Sequence, residues 1–165
     1  MQTATSSGCT PELYRSVMGC FPTGVTVITV SAAGGARVGV TASSFNTVSM
    51  DPPLILWSLS LRAPSLTTFR SVPHFAVNVL AEGQDALARH FARPSEDKFA
   101  GIATRPGLTG APLIEGALAH IECRVAQRYA GGDHEIMLGE VVALSQGEGE
   151  PLVFRGGRFC RLAPH

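Results

Sequence analysis

The sequence predicts a mainly β protein, an antiparallel barrel with a few short helices, and three observations carry that prediction. Short apolar or alternating runs rich in Val, Ile, Thr and Phe recur at residues 24–30, 54–59, 75–80, 117–129, 135–144 and 152–154. Glycine pairs, Gly34-Gly35 and Gly156-Gly157, stand where tight hairpins need positive φ. Helical patterns are few and short, so most successive strands can pair antiparallel. A sheet of about six or more strands removes its exposed edges most readily by closing on itself.

The first element reads as a helix: Thr10 can cap it, Pro11 suits the first turn, and Glu12 favours the positive end. Leu13, Tyr14, Val17 and Met18 give it an apolar stripe that stops at Gly19. Residues 1–10 before it are polar and read as a flexible N-terminus. A strand over 24–30 returns through Gly34-Gly35 into 38–44. Strand 54–59 is followed by a short polar helix from Ser65, then by strand 75–80. Residues 86–91 and 96–99 look helical. The long extended stretches 117–129 and 135–144 pair next, and 152–154 with 158–162 close the chain through Gly156-Gly157. No repeat, low-complexity tract or linker divides residues 1–165, which read as a single domain.

Composition narrows the function. Hydrophobic residues make up 45% of the 165 and charged residues 16%, enough for a packed core. Thirteen basic residues balance thirteen acidic ones, so neither nucleic acid nor an anionic membrane is an expected partner. No apolar run reaches the roughly 20 residues that cross a bilayer. The polar start lacks a secretion signal, so a cytoplasmic location is expected. Cys9, Cys20, Cys123 and Cys160 are widely spaced and read as reduced thiols. The GxGxxG, GxxxxGK[ST] and GxSxG signatures are missing. His134-Glu135 starts like a zincin motif, but Leu138 stands where the second histidine belongs, and His74, His90, His120 and His165 share no ligand spacing. No metal site is expected.

What remains is a run of small hydroxyl residues around a Gly-rich strand end, residues 39–49. A ligand with a phosphate and a polyol chain needs many short donors and close backbone approach. Thr41, Ser43, Ser44 and Asn46 with their amides can supply both. The same residues also read as a Ser/Thr-rich strand running into a loop, and chemistry alone does not separate the two.

Several motifs occur together in one order: Phe21-Pro-Thr-Gly-Val-Thr-Val-Ile-Thr29, Thr41-Ala-Ser-Ser-Phe45, Val48-Ser-Met-Asp-Pro-Pro-Leu54 and Phe75-Ala-Val-Asn-Val-Leu80. Asp97-Lys-Phe-Ala-Gly101, Gly110-Ala-Pro-Leu113, Gly132-Asp-His134, Leu138-Gly-Glu-Val141 and Phe154-Arg-Gly-Gly-Arg-Phe159 continue it. From Phe21 to Leu162 the chain resembles the short-chain flavin reductases that supply reduced flavin to two-component monooxygenases, within the flavin reductase-like, FMN-binding split barrel family. The resemblance implies an antiparallel split β-barrel that pairs as a homodimer. It implies NADH or NADPH as hydride donor, FAD or FMN as a loosely bound, substrate-like cofactor, and a flavin-dependent monooxygenase as the partner that receives reduced flavin.

By the same resemblance, Thr41, Ala42, Ser43, Ser44 and Asn46 lie along the flavin. Ser65 and Thr67 face its phosphate, and Lys98 and Phe99 stand near its outer end. Asp133, His134 and Phe159 border the nicotinamide, with His134 positioning it. Hydride transfer between stacked rings asks mainly for positioning, which suits a chain whose polar motifs are Ser, Thr, Asn and one His. Two other readings share the fold: a non-catalytic flavin-binding protein, and a pyridoxine-phosphate-oxidase-like or heme-utilisation enzyme. The latter would be expected to cluster more basic residues than this neutral chain offers.

Overall fold

Thr10 starts the first helix, α1 (Pro11–Met18): its hydroxyl oxygen accepts the Leu13 N–H at 3.2 Å. A computed structural model describes residues 8–95 and 97–162. The first seven residues of the start expected to be flexible lie outside the described residues. No residue of α1 is buried, so the stripe of Tyr14, Val17 and Met18 faces away from the chain's own core.

The strands follow as β1 (Thr23–Gly24), β2 (Thr26–Ser31), β3 (Arg37–Ala42), β4 (Asn46–Met50) and β5 (Pro53–Ser60), then helix α2 (Leu66–Ser71), β6 (His74–Val79) and helix α3 (Asp85–Ala92). The remainder is β7 (Thr104–Pro106), β8 (Pro112–Ile114), β9 (Ala119–Gly131), β10 (His134–Gln146), β11 (Val153–Arg155) and β12 (Arg158–Cys160). Seven strands form one antiparallel sheet in the order β3-β2-β6-β9-β10-β5-β4. β7 and β8 pair, and β1, β11 and β12 form a small third sheet. Gly156 and Gly157, at φ 56° and 81°, make the tight β11–β12 turn foreseen for them.

Three expectations change. The large sheet does not close by backbone pairing, for its ends, β3 and β4, are not partners. Where the end of β3 meets β5, the Ser44 hydroxyl accepts the Ser58 N–H at 2.9 Å and donates to the Ser58 carbonyl at 3.2 Å, so a side chain holds this seam in place of a ladder. The expected helix over 96–99 is a turn. Asp97 Oδ1 accepts the Phe99 N–H at 2.8 Å, an Asx-type bond that competes with helix formation, and Glu96 lies outside the described residues. Residues 46–50, read as part of a hydroxyl-rich run into a loop, form edge strand β4, and β7 and β8 were not foreseen.

β2 lies between two cores, which is why it is buried on both faces although its sequence alternates Thr with branched residues. Ile28 and Val30 pack with Trp57, Phe69 and Phe75, whereas Val27 packs with Phe91, Phe99 and Leu152. The buried threonines bond inward: Thr26 donates to the Ala42 carbonyl at 2.8 Å and Thr29 to the Pro112 carbonyl at 2.5 Å. Fully buried Asn78 donates to the Val27 carbonyl and to Thr29 Oγ1, and its Oδ1 accepts the Ile114 N–H at 2.8 Å. This cluster ties β2, β6 and β8 together. Buried Glu122 on β9 likewise accepts the N–H groups of Leu108 and Thr109 and the Thr109 hydroxyl. Burial pushes its pKa up, but those donors and the nearby Arg105 charge outweigh it and hold the carboxyl below its ordinary value.

α3 packs on β3 at Gly39, where an added Cβ would stand 2.6 Å from the Phe91 ring. Phe91 is fully buried against Phe99, ring centres 5.2 Å apart, and has little room to retreat. Gly39→Ala is therefore expected to cost about 1–3 kcal/mol by overpacking. Thermal unfolding should show a drop of about 2–4 °C for each kcal/mol in a chain of this size. An unshifted transition would mean that Phe91 moves freely. Among the described residues no helix is long and apolar enough to cross a membrane.

Candidate functional site

β3, α2 and the chain after α3 enclose a cleft of about 370 Å³. Arg37 and Gly39 come from β3, Ser65 and Thr68 from the start and first turn of α2, and Arg93, Ser95 and Lys98 from the connection after α3. Lys98 Nζ donates to the Phe91 carbonyl at 2.7 Å, in the last turn of α3, and to the Gly39 carbonyl at 3.2 Å. His90 Nε2 bonds the Lys98 carbonyl at 2.8 Å and holds this turn from the other side. Burial lowers the Lys98 pKa. The Arg37 guanidinium lies over the Phe99 ring at 4.9 Å and donates to Thr104 Oγ1. Among the described residues no carboxylate lines this cleft. Among the described residues this part-buried ammonium is held by carbonyls alone, with two guanidiniums beside it, which suits an anion.

The hydroxyl run lies between this cleft and a second one. Thr41 spends its proton on the Ala88 carbonyl at 2.7 Å, docking α3 on β3, and Ser44 is engaged at the seam. Ala42 is buried in the core. Ser43, Ser44, Phe45 and Asn46 line a groove of about 740 Å³ with Tyr14, Phe21 and Phe154, and Asn46 Oδ1 accepts the Thr47 N–H. The backbone amides of 43–45 fall between β3 and β4, outside the regular strands. Ser65 caps no N–H of α2 with its hydroxyl, so that group is available to the basic cleft. Thr67 is exposed and does not line the cleft, whereas Thr68, one helical turn beyond Ser65, does. Phe99 is a core side chain under Arg37.

Asp133 and His134 sit at the β9–β10 hairpin, with His134 Nδ1 2.7 Å from Asp133 Oδ1. That bond holds the Asp133 carboxyl below its usual range. Asp133 also accepts the Leu61 N–H through its carbonyl. Phe159 packs edge-on to Phe154, lies under the Arg89 guanidinium at 4.9 Å, and lines a separate cleft of about 570 Å³ with Glu82, Arg158 and Arg161. Within one chain the hairpin and Phe159 do not share a cleft among these three.

Residues 18–163 match the model of the flavin reductase like domain. The chain belongs to the flavin reductase-like family. Its likeness to an Agrobacterium fabrum FMN reductase (NADH) is 40% identity over 150 residues, covering 91% of this chain and 85% of that protein. A reductase subunit of a flavin-dependent monooxygenase from Mycobacterium tuberculosis is 40% identical over 157 residues, with 93% and 83% covered. The solved Streptomyces globisporus NADH:FAD oxidoreductase, in complex with NAD and FAD fragments, matches with a TM-score of 0.87 at 46% identity over 92% of each chain. In this flavin reductase-like chain, sequence reasoning passed over Arg37, Arg93 and Thr68. Only Thr68 had a signal, its helical spacing from Ser65. Among the described residues no three His, Cys, Asp or Glu side chains gather as a possible metal site.

Proposed function

We propose that the chain is an NADH-dependent flavin reductase that takes up FAD or FMN from solution and passes the reduced flavin to a flavin-dependent monooxygenase. The observation that carries this reading is the basic cleft, where Lys98 donates to the Phe91 and Gly39 carbonyls and, among the described residues, meets no carboxylate, beside the Thr41–Ser44 run. In it Lys98, Ser65 and Thr68 hold the flavin phosphate, and the amides and hydroxyls of Ser43 to Asn46 run along the polyol and ring edge. Phe99 serves from behind as the platform of Arg37, and Thr67 lies at the outer margin. The flavin supplies a hydride-accepting ring and the nicotinamide the hydride, so the protein's task is to stack and dry the pair. Asp133 orients the His134 ring toward the nicotinamide, and Phe159 borders that side from another part of the assembly.

Residues 1–165 act as one domain of split-barrel type, and two copies pair. The outer face of the sheet supports pairing: half-exposed Leu54 and Leu56 on β5 share it with Ile136 and Leu138 on β10 and exposed Tyr129 on β9, Leu56 directly opposite Leu138 and Tyr129 opposite Ile136. Pairing also offers a way to bring Phe159 of one copy toward His134 of the other. Sedimentation equilibrium should give twice the chain mass, and a fully active monomer would refute it. The free thiols Cys9, Cys20 and Cys160 are exposed, in keeping with work in the reducing cytoplasm.

One assay tests the reading. NADH oxidation should require added FAD or FMN. Because the hydride needs no proton from His134, His134→Ala should raise KM for NADH by about 2-fold to 100-fold, the loss of one hydrogen bond, while leaving turnover at saturating NADH. A stable variant with weakened flavin binding and unchanged KM for NADH would place His134 elsewhere, and absence of flavin-dependent oxidation in the parent protein would reject the function.

A further inference from the structure

The basic cleft continues past Lys98. Arg93, Pro94 and Ser95 line it and also line a second hollow, of about 470 Å³, on the outer side of α3 with Ala86, Arg89 and His90. These three residues form a saddle between the two. Half-buried Lys98 stands on the inner side, whereas Arg37 and Arg93 are exposed. Arg89 is committed elsewhere, 3.9 Å from Asp85 and over the Phe159 ring. Arg37 is held by Thr104 and Phe99. Among the described residues no carboxylate pairs with Arg93.

Flavin cofactors differ in how they spread their charge. FMN gathers about two negative charges on one phosphate. FAD distributes a similar charge over two linked phosphates and continues into adenosine. A site for FMN alone needs cations around one point, but here they extend from Lys98 to the saddle. Beyond it lies a hollow with Ala86 and Pro94 as apolar surface for a purine face. We propose that this chain selects FAD over FMN, with Arg93 on the saddle holding the second phosphate and the adenosine lying against Ala86 and Pro94 on α3. The proposal rests on the reading of the basic cleft as the flavin phosphate site.

Isothermal titration of the purified protein with FAD and with FMN tests it without turnover. Affinity for FAD should exceed that for FMN by about ten-fold, as one charge-assisted bond allows. Arg93→Ala, and Ala86→Glu on the exposed face of α3, should each shrink that ratio about five-fold or more. Equal affinities in the parent protein, or a ratio untouched in both variants, would overturn the proposal. Lys98→Met separates the two levels of inference. If it weakens both flavins while the other variants leave the ratio alone, only the adenosine site fails. If it weakens neither, the cleft is not the flavin phosphate site and both readings fall.

Discussion

Asn78→Leu should lower the melting temperature by about 4–16 °C. Leucine matches asparagine in shape but can neither donate nor accept. Asn78 is fully buried and satisfies the Val27 carbonyl, Thr29 Oγ1 and the Ile114 N–H. The hydroxyl of Thr29 keeps its bond to the Pro112 carbonyl, so it loses a donor without being orphaned. The Val27 carbonyl keeps its place in the ladder, since Val27 faces Asn78 in the register that joins the Leu80 N–H to the Val25 carbonyl, so the Ile114 amide is the group that loses its partner. A stranded buried amide costs about 1–3 kcal/mol, and loosening of β8 adds to that, for a total of about 2–4 kcal/mol. With about 2–4 °C lost per kcal/mol in a chain of this size, calorimetry should resolve the change easily. A transition within a degree or two of the parent would mean that water repairs the Ile114 amide.

The second large effect is at Lys98. Lys98→Met should raise KM for flavin about ten-fold to a hundred-fold, the worth of a charge-assisted hydrogen bond, with little change in turnover once flavin saturates. Without flavin the same variant should melt no lower than the parent, because the ammonium is part-buried against carbonyls and, among the described residues, has no carboxylate partner in the cleft. The pH dependence carries the same sign. Burial puts the folded pKa of Lys98 below the ordinary 10.5. The unfolded chain then binds more protons between those two values, so the flavin-free protein gains stability as pH rises through the folded pKa. Flavin affinity should fall over the same range, because a neutral amine no longer attracts phosphate. A variant that melts much lower and binds flavin normally would show Lys98 to be a structural tie between α3 and β3 only.

Local rules were enough for much of this molecule. Thr10-Pro11-Glu12 starts α1, Gly156-Gly157 turns β11 into β12, and the branched runs at 24–30, 54–59 and 75–80 become β2, β5 and β6, because caps, positive φ and side-chain branching act within a few residues. The motif order from Phe21 to Phe159 was also sufficient to point to a flavin reductase. Tertiary structure decided what depends on neighbours distant in the chain. β2 is buried on both faces because α3 and β8 cover the side that alternation alone would leave wet. Asp97 turns the chain at Phe99 where a helical pattern was read, and the seam between β3 and β5 is held by Ser44 rather than closed by a ladder. The basic cleft is the clearest case. Arg37, Ser65 and the pair Arg93 and Lys98 come from three separate stretches, and in a chain with balanced charge nothing local marks them as a group. They meet because Gly39 lets Phe91 seat α3 against β3, and a cluster of cations around a part-buried lysine is a property of a surface in space rather than of any segment.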